Sequence, residues 1–181
     1  MKFAFIANVA GATPETYSAV FESPGSYNLI AGVDGMDAAK EYIKKLAGEG
    51  FEMFNLCGDF DDEITAEIKE MVGPEIEVSH ADYSAAQMAK LEKLESFKEY
   101  GIIILDDDIE DPHHMAINNE ECNAHIIFVK DLEQAEKAGK TLIEEKVDFI
   151  ELCSWFDNDK MEAVVKATED SVPVGTCAEL K

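Results

Sequence analysis

Phe54-Asn55-Leu56-Cys57-Gly58-Asp59-Phe60-Asp61 returns 96 positions later as Ile150-Glu151-Leu152-Cys153-Ser154-Trp155-Phe156-Asp157. The register holds on both sides. Val33, Ala39, Lys44, Leu46 and Glu49 fall on Val129, Ala135, Lys140, Leu142 and Glu145, and Ile76-Glu77-Val78 falls on Val172-Pro173-Val174. Farther upstream the offset drifts by one or two: Phe3-Ala4-Phe5-Ile6 meets Tyr100-Gly101-Ile102-Ile103, and Thr13-Pro14 meets Asp111-Pro112. Self-similarity at one offset marks a duplicated unit, here about ninety residues long with a small indel. Charge divides with it: −11 from seven Lys and eighteen acidic residues before position 97, and −13 from eight and twenty-one after it.

Each copy reads alike in secondary structure. Phe3 to Ala7 and Ile102 to Leu105 are short continuous apolar runs, the pattern of strands buried on both faces. A hairpin follows in each copy. Tyr17 to Phe21 and Tyr27 to Val33 flank the turn-forming Glu22-Ser23-Pro24-Gly25-Ser26, while Met115 to Ile117 and His125 to Val129 form the weaker second version. Apolar residues then recur at three- and four-residue spacing through Met36, Ala39, Ile43 and Leu46, and again through Leu132, Ala135, Leu142 and Ile143, predicting a helix in each. Phe51 to Cys57 and Val147 to Cys153 are predicted strands, Asp61 to Val72 and Asp157 to Thr168 helices, and Ile76 to Ser79 and Val172 to Thr176 closing strands. Ser84 to Phe97, with a Ser-x-x-Gln capping box, reads as a connecting helix. Strands joined through helices lie parallel and are reached by right-handed crossovers. The expected fold is therefore α/β: two tandem repeats, each a mostly parallel sheet with a hairpin and two helices, packed as a pseudo-dimer. The expected domains are residues 1–83 and 98–181, with 84–97 between them. A single closed barrel is the alternative, disfavoured because four core helices are too few for an eightfold one.

Ala19-Val20-Phe21-Glu22, the corner Leu56-Cys57-Gly58-Asp59-Phe60, Leu152-Cys153 with Phe156, and the closing Val172-Pro173-Val174-Gly175 carry a further signal. Together they resemble a family of small bacterial and archaeal α/β proteins, a domain of unknown function about one copy long, here fused in tandem. The resemblance implies a fold and brings no activity. The second copy departs from it at the corner, where Ser154-Trp155 replaces Gly58-Asp59.

Composition narrows the partners. The 181 residues carry a net charge of −24, and all fifteen basic residues are Lys. An acidic chain repels phosphate backbones, and one without Arg lacks the bidentate fork that reads phosphate or guanine, so nucleic acid and anionic membrane are not expected partners. No apolar stretch approaches the roughly eighteen residues of a membrane span. The four Cys make no secreted disulfide framework, and the first residues read as a strand, so a cytoplasmic location is expected. A small-molecule ligand is compatible with all of this, in a monomeric pseudo-dimer or a homodimer. No cofactor is identifiable.

In parallel sheets ligands bind beyond the carboxyl ends of the strands. Those ends carry Asn8 to Gly11, Cys57 to Phe60 and His80 in the first copy. In the second they carry Asp106-Asp107-Asp108, Cys153 to Phe156 and Thr176-Cys177, with His113 and His114 on the following loop. Cys57, Phe60, His80, Cys153, Trp155 and Phe156 are thus candidate ligand-binding residues. Asp106, His113 or His114, Cys153 and Cys177 could converge on zinc or iron, which would make an asymmetric metal or enzymatic site in the second copy. Against this, no Cys-x-x-Cys or His-x-x-x-His spacing is present. The plainer reading makes the Cys small buried strand-end residues and the acidic run a solvated loop. Cys57 or Cys153 as nucleophile at a helix N-terminus is opposed by the adjacent Asp59, Asp61, Asp62 and Glu63 or Asp157 and Asp159, which serve better as helix caps.

Overall fold

The two apolar runs become the centres of two separate sheets. The computed structural model describes Met1–Lys181. Its first half contains β1 (Lys2–Asn8), β2 (Ser18–Ser23), β3 (Ser26–Val33), α1 (Met36–Gly48), β4 (Met53–Leu56), α2 (Asp62–Val72) and β5 (Glu77–His80). After α3 (Ala85–Leu91) the same series recurs as β6 (Glu99–Leu105), β7 (His113–Asn118), β8 (Asn123–Val129), α4 (Leu132–Glu144), β9 (Phe149–Leu152), α5 (Asn158–Ala167) and β10 (Val174–Thr176). The sheet orders are β2-β3-β1-β4-β5 and β7-β8-β6-β9-β10, parallel except for the antiparallel edge strands β2 and β7. The expected α/β duplication is the observed one, and no barrel closes.

Side-chain alternation assigns the layers. Gly101 on β6 faces Leu142 of α4, whereas its neighbour Tyr100 meets Phe5 of β1 with ring centroids 6.5 Å apart. Phe21 of β2 lies 4.8 Å from Phe128 of β8. One face of each sheet therefore packs on helices and the other on the opposite sheet, giving four layers, helix-sheet-sheet-helix. This is why the central strands are apolar on both faces. Asp82 and Thr176 form an antiparallel bridge along one side. No helix is long and apolar enough to cross a membrane.

The helices start where the sequence supplies caps. Asp61, Asp131 and Asp157 accept hydrogen bonds from the backbone N–H groups of Ile64, Gln134 and Lys160. The connector is shorter than its periodicity predicts. Past Leu91 the Lys98 N–H bonds to Ser96 Oγ, a local alternative to the helical ladder, and Phe97 folds over Phe149 at 5.5 Å.

Candidate functional site

The connections leaving β1 and β4 run in opposite directions, β1 to the β3 side and β4 through α2 to β5. The gap between their carboxyl ends is a topological switch point, where open α/β sheets hold ligands. Asn8 to Ala10 and Cys57 to Asp59 border it. The other sheet runs antiparallel to this one, so the amino ends of β6 and β9 and the β7–β8 turn close over the same gap. Between them lies a cavity of about 550 Å³. Tyr83, Tyr100, Phe149 and Glu151 form its buried base, and Phe97, Asp59, Lys98, Glu120 and Glu121 line its exposed rim.

Glu151 is the chemical centre of this base. It is 2% exposed. It accepts from the Tyr83 hydroxyl at 2.5 Å, from the Tyr100 hydroxyl, and from the Gly58 N–H at 3.0 and 3.2 Å. Burial pushes its carboxyl from 4.5 up to about 7, against the pull of these donors. Burial also raises Tyr83 and Tyr100, keeping both as neutral phenol donors. Close approach by glycine makes the cluster fit. A Cβ on Gly58 would stand 2.6 Å from Glu151 Oε2, and one on Gly175 would stand 2.7 Å from the Tyr83 ring.

An approximate two-fold axis relates this junction to a second one. Glu151 corresponds to Asn55 and Gly58 to Ser154. Asn55 Oδ1 accepts from the Ser154 N–H at 2.8 Å, and its Nδ2 donates to Ser154 Oγ at 3.2 Å. At this second junction, however, the two repeats are tied together across the gap. Asp106, in the position of Val9, accepts from Ser23 Oγ at 3.0 Å and Asn28 Nδ2 at 2.9 Å. Asp108 presses on Gly25 so closely that an added Cβ would sit 1.9 Å from its Oδ2.

The sequence-derived candidates scatter across the molecule. Cys57 lines the cavity, and its Sγ accepts from the Asn8 N–H at 3.2 Å. Cys153 does the same for the Leu105 N–H at 3.3 Å. The recurrent Cys therefore caps the end of the central strand in both copies. Burial raises both thiols, opposite to what a nucleophile needs. Phe60 and Phe156 are 1% and 0% exposed and belong to the core. Trp155 is half-buried, edge-on to Phe156, with Lys160 Nζ 4.7 Å above its ring. His80 bonds Thr65 Oγ1 at 2.9 Å and lies 3.4 Å from Asp62, beside a separate hollow of about 380 Å³. Asp106, Asp107 and Asp108 offer oxygens within 4.8 Å of one another, and no His or Cys joins them. His113 stacks on Phe21 at 4.0 Å, His114 takes the opposite face of β7 beside His125, and the Cys177 thiol points to the Leu56 carbonyl at 3.5 Å.

Glu151, Tyr83 and Tyr100 were not among those candidates. The available signal was the repeat register itself, which sets Asn55 against Glu151. These are two polar residues at one position of strands otherwise apolar at Phe54, Leu56, Ile150 and Leu152.

Comparison with solved structures finds distant α/β proteins. A solute-binding protein of an ABC transporter from Clostridium phytofermentas, with bound L-rhamnose, aligns at 10% identity over 96% of this chain and 67% of its own, with a TM-score of 0.33. A LacI family transcriptional regulator from Silicibacter pomeroyi aligns at 13% identity over 94% and 76%, with a TM-score of 0.32. An ABC transporter solute-binding protein from Conexibacter woesei aligns at 13% identity over 96% and 69%, with a TM-score of 0.31. At such scores nothing about ligand or activity transfers. No curated protein matches the chain significantly. A family model matches twice in tandem, over residues 1–96 and 98–179. The chain belongs to that family, described as Family of unknown function (DUF6506), and carries two copies of its domain.

Proposed function

We propose that the chain binds a small organic molecule in the cavity between the two repeats. The observation that supports this reading is the cavity itself: about 550 Å³, at a topological switch point, with an aromatic base and one buried carboxyl group. That volume and mix of lining are those of small-molecule sites. The test is a thermal-shift screen of a metabolite library on the wild-type chain and on Ala10→Trp, whose exposed position on the lining lets the new indole fill the cavity. A compound that stabilises the wild type and fails on Ala10→Trp supports the reading. If no compound stabilises the wild type, or if all act equally on both proteins, the proposal is wrong.

A second reading, catalysis in the same cavity, is favoured by Glu151, whose carboxyl near 7 suits proton transfer. It requires that a bound compound be turned over, and that Glu151→Gln abolish turnover while binding persists. Binding without turnover leaves the first reading alone.

A further inference from the structure

The cavity walls discriminate among ligands by charge. Four carboxyl groups line it, those of Asp59, Glu120, Glu121 and Glu151, against one ammonium group, Lys98. The whole chain carries −24 and no Arg. An anionic ligand would enter against this field with one exposed lysine to receive it.

Aromatic faces supply the complementary feature. Tyr100 and Phe149 stack with centroids 4.6 Å apart and an interplanar angle of 15°. Phe97 stands edge-on to Phe149, at 5.5 Å and 73°. Two ring orientations thus meet in one corner of the cavity. Phe97 is 50% exposed, although it is a large apolar residue at the mouth of a pocket. Ring faces attract cations through their quadrupole, more strongly where water is excluded. Both Glu151 oxygens are already engaged by Tyr83, Tyr100 and Gly58. Glu151 therefore stays with these donors at the base, and the charge that a ligand meets comes from the rim.

We propose that the cavity takes an organic cation, a protonated amine or quaternary ammonium on an apolar body, seated against Phe97, Phe149 and Tyr100 within the field of Asp59, Glu120 and Glu121. This rests on the cavity being the small-molecule site. It commits that site to one charge class.

Titration calorimetry on the full chain tests it with matched probes. Phenethylamine and phenethyltrimethylammonium are the cations, 2-phenylethanol the neutral analogue and 3-phenylpropionate the anion. The cations are expected to bind about tenfold more tightly than the alcohol, a difference of the size expected for a partly desolvated cation on aromatic faces. The carboxylate should not bind. Added salt should weaken only the cations. Phe97→Ala should lose about tenfold in cation affinity. Asp59→Asn, at an exposed residue that does not support the core, should lose a few-fold while leaving the alcohol unchanged. Alcohol or carboxylate binding as tight as that of the amines, and lost in Ala10→Trp, would overturn the charge assignment and keep the cavity as a site. No binding by any probe, together with no hit in the metabolite screen, would overturn both.

Discussion

A carboxyl group removed from water becomes tolerable when donors replace the water, and Glu151 has three of them. The replacement is incomplete, since burial still lifts its pKa to about 7. A folded value above the unfolded one means that the folded chain holds the extra proton between about 4.5 and 7. Stability from this group is therefore fully present at low pH and declines as pH rises through that window. A shift of this size corresponds to about 3 kcal/mol. Cys57, Cys177, Tyr83 and Tyr100 surround the carboxyl and are all raised by burial, so none of them titrates there; the nearby Asp59 adds to the upward push on Glu151. Urea denaturation of Glu151→Gln and wild type at pH 5 and pH 8 should show the variant gaining about 2–3 kcal/mol relative to wild type at the higher pH. A pH-independent difference would contradict the shift. At the same scale, Gly58→Ala should cost about 1–3 kcal/mol, because the 2.6 Å approach to Glu151 leaves no room for a methyl group. Unchanged stability in urea would show that the junction yields.

Helix and strand positions follow directly from local sequence where a local cause exists. Asp61, Asp131 and Asp157 begin helices because their carboxylates reach N–H groups three residues on. Asp131→Ala should lower stability by about 1 kcal/mol, read as a shift in the urea midpoint. Gly48, the last residue of α1, has open space where a Cβ would go and no positive φ. Gly48→Ala is expected to stabilise by about 0.5 kcal/mol, and a loss instead would mean that the helix end needs glycine. The repeat, its strands and most of its helices were legible because period and caps are local properties. The connector's early end was not, since Ser96 and Phe97 act through Lys98 and the distant Phe149. The cavity was legible only as a place, the carboxyl ends of the strands. Its residues Tyr83, Tyr100 and Glu151 come from a linker, a strand start and a strand interior, and only the pairing of two sheets brings them together.

For the molecule as a whole, the inner sheet faces are the determining feature. Phe3, Phe5 and Ile30 are buried by the second repeat. A chain ending at residue 96 would expose them. It should self-associate, because the Asn55 carbonyl can accept from the Gly58 N–H of another copy as it does from Ser154. Sedimentation of such a fragment as a monomer would contradict this packing. In the intact chain the two junctions differ, with Glu151 beneath an open space at one and Asp106 bonded across the other. A symmetric pair of single-copy domains would present two equal sites. One junction is tied by hydrogen bonds and the other holds the cavity, so if the proposed site is correct a saturating titration should end at one equivalent of ligand per polypeptide, with no second, weaker step.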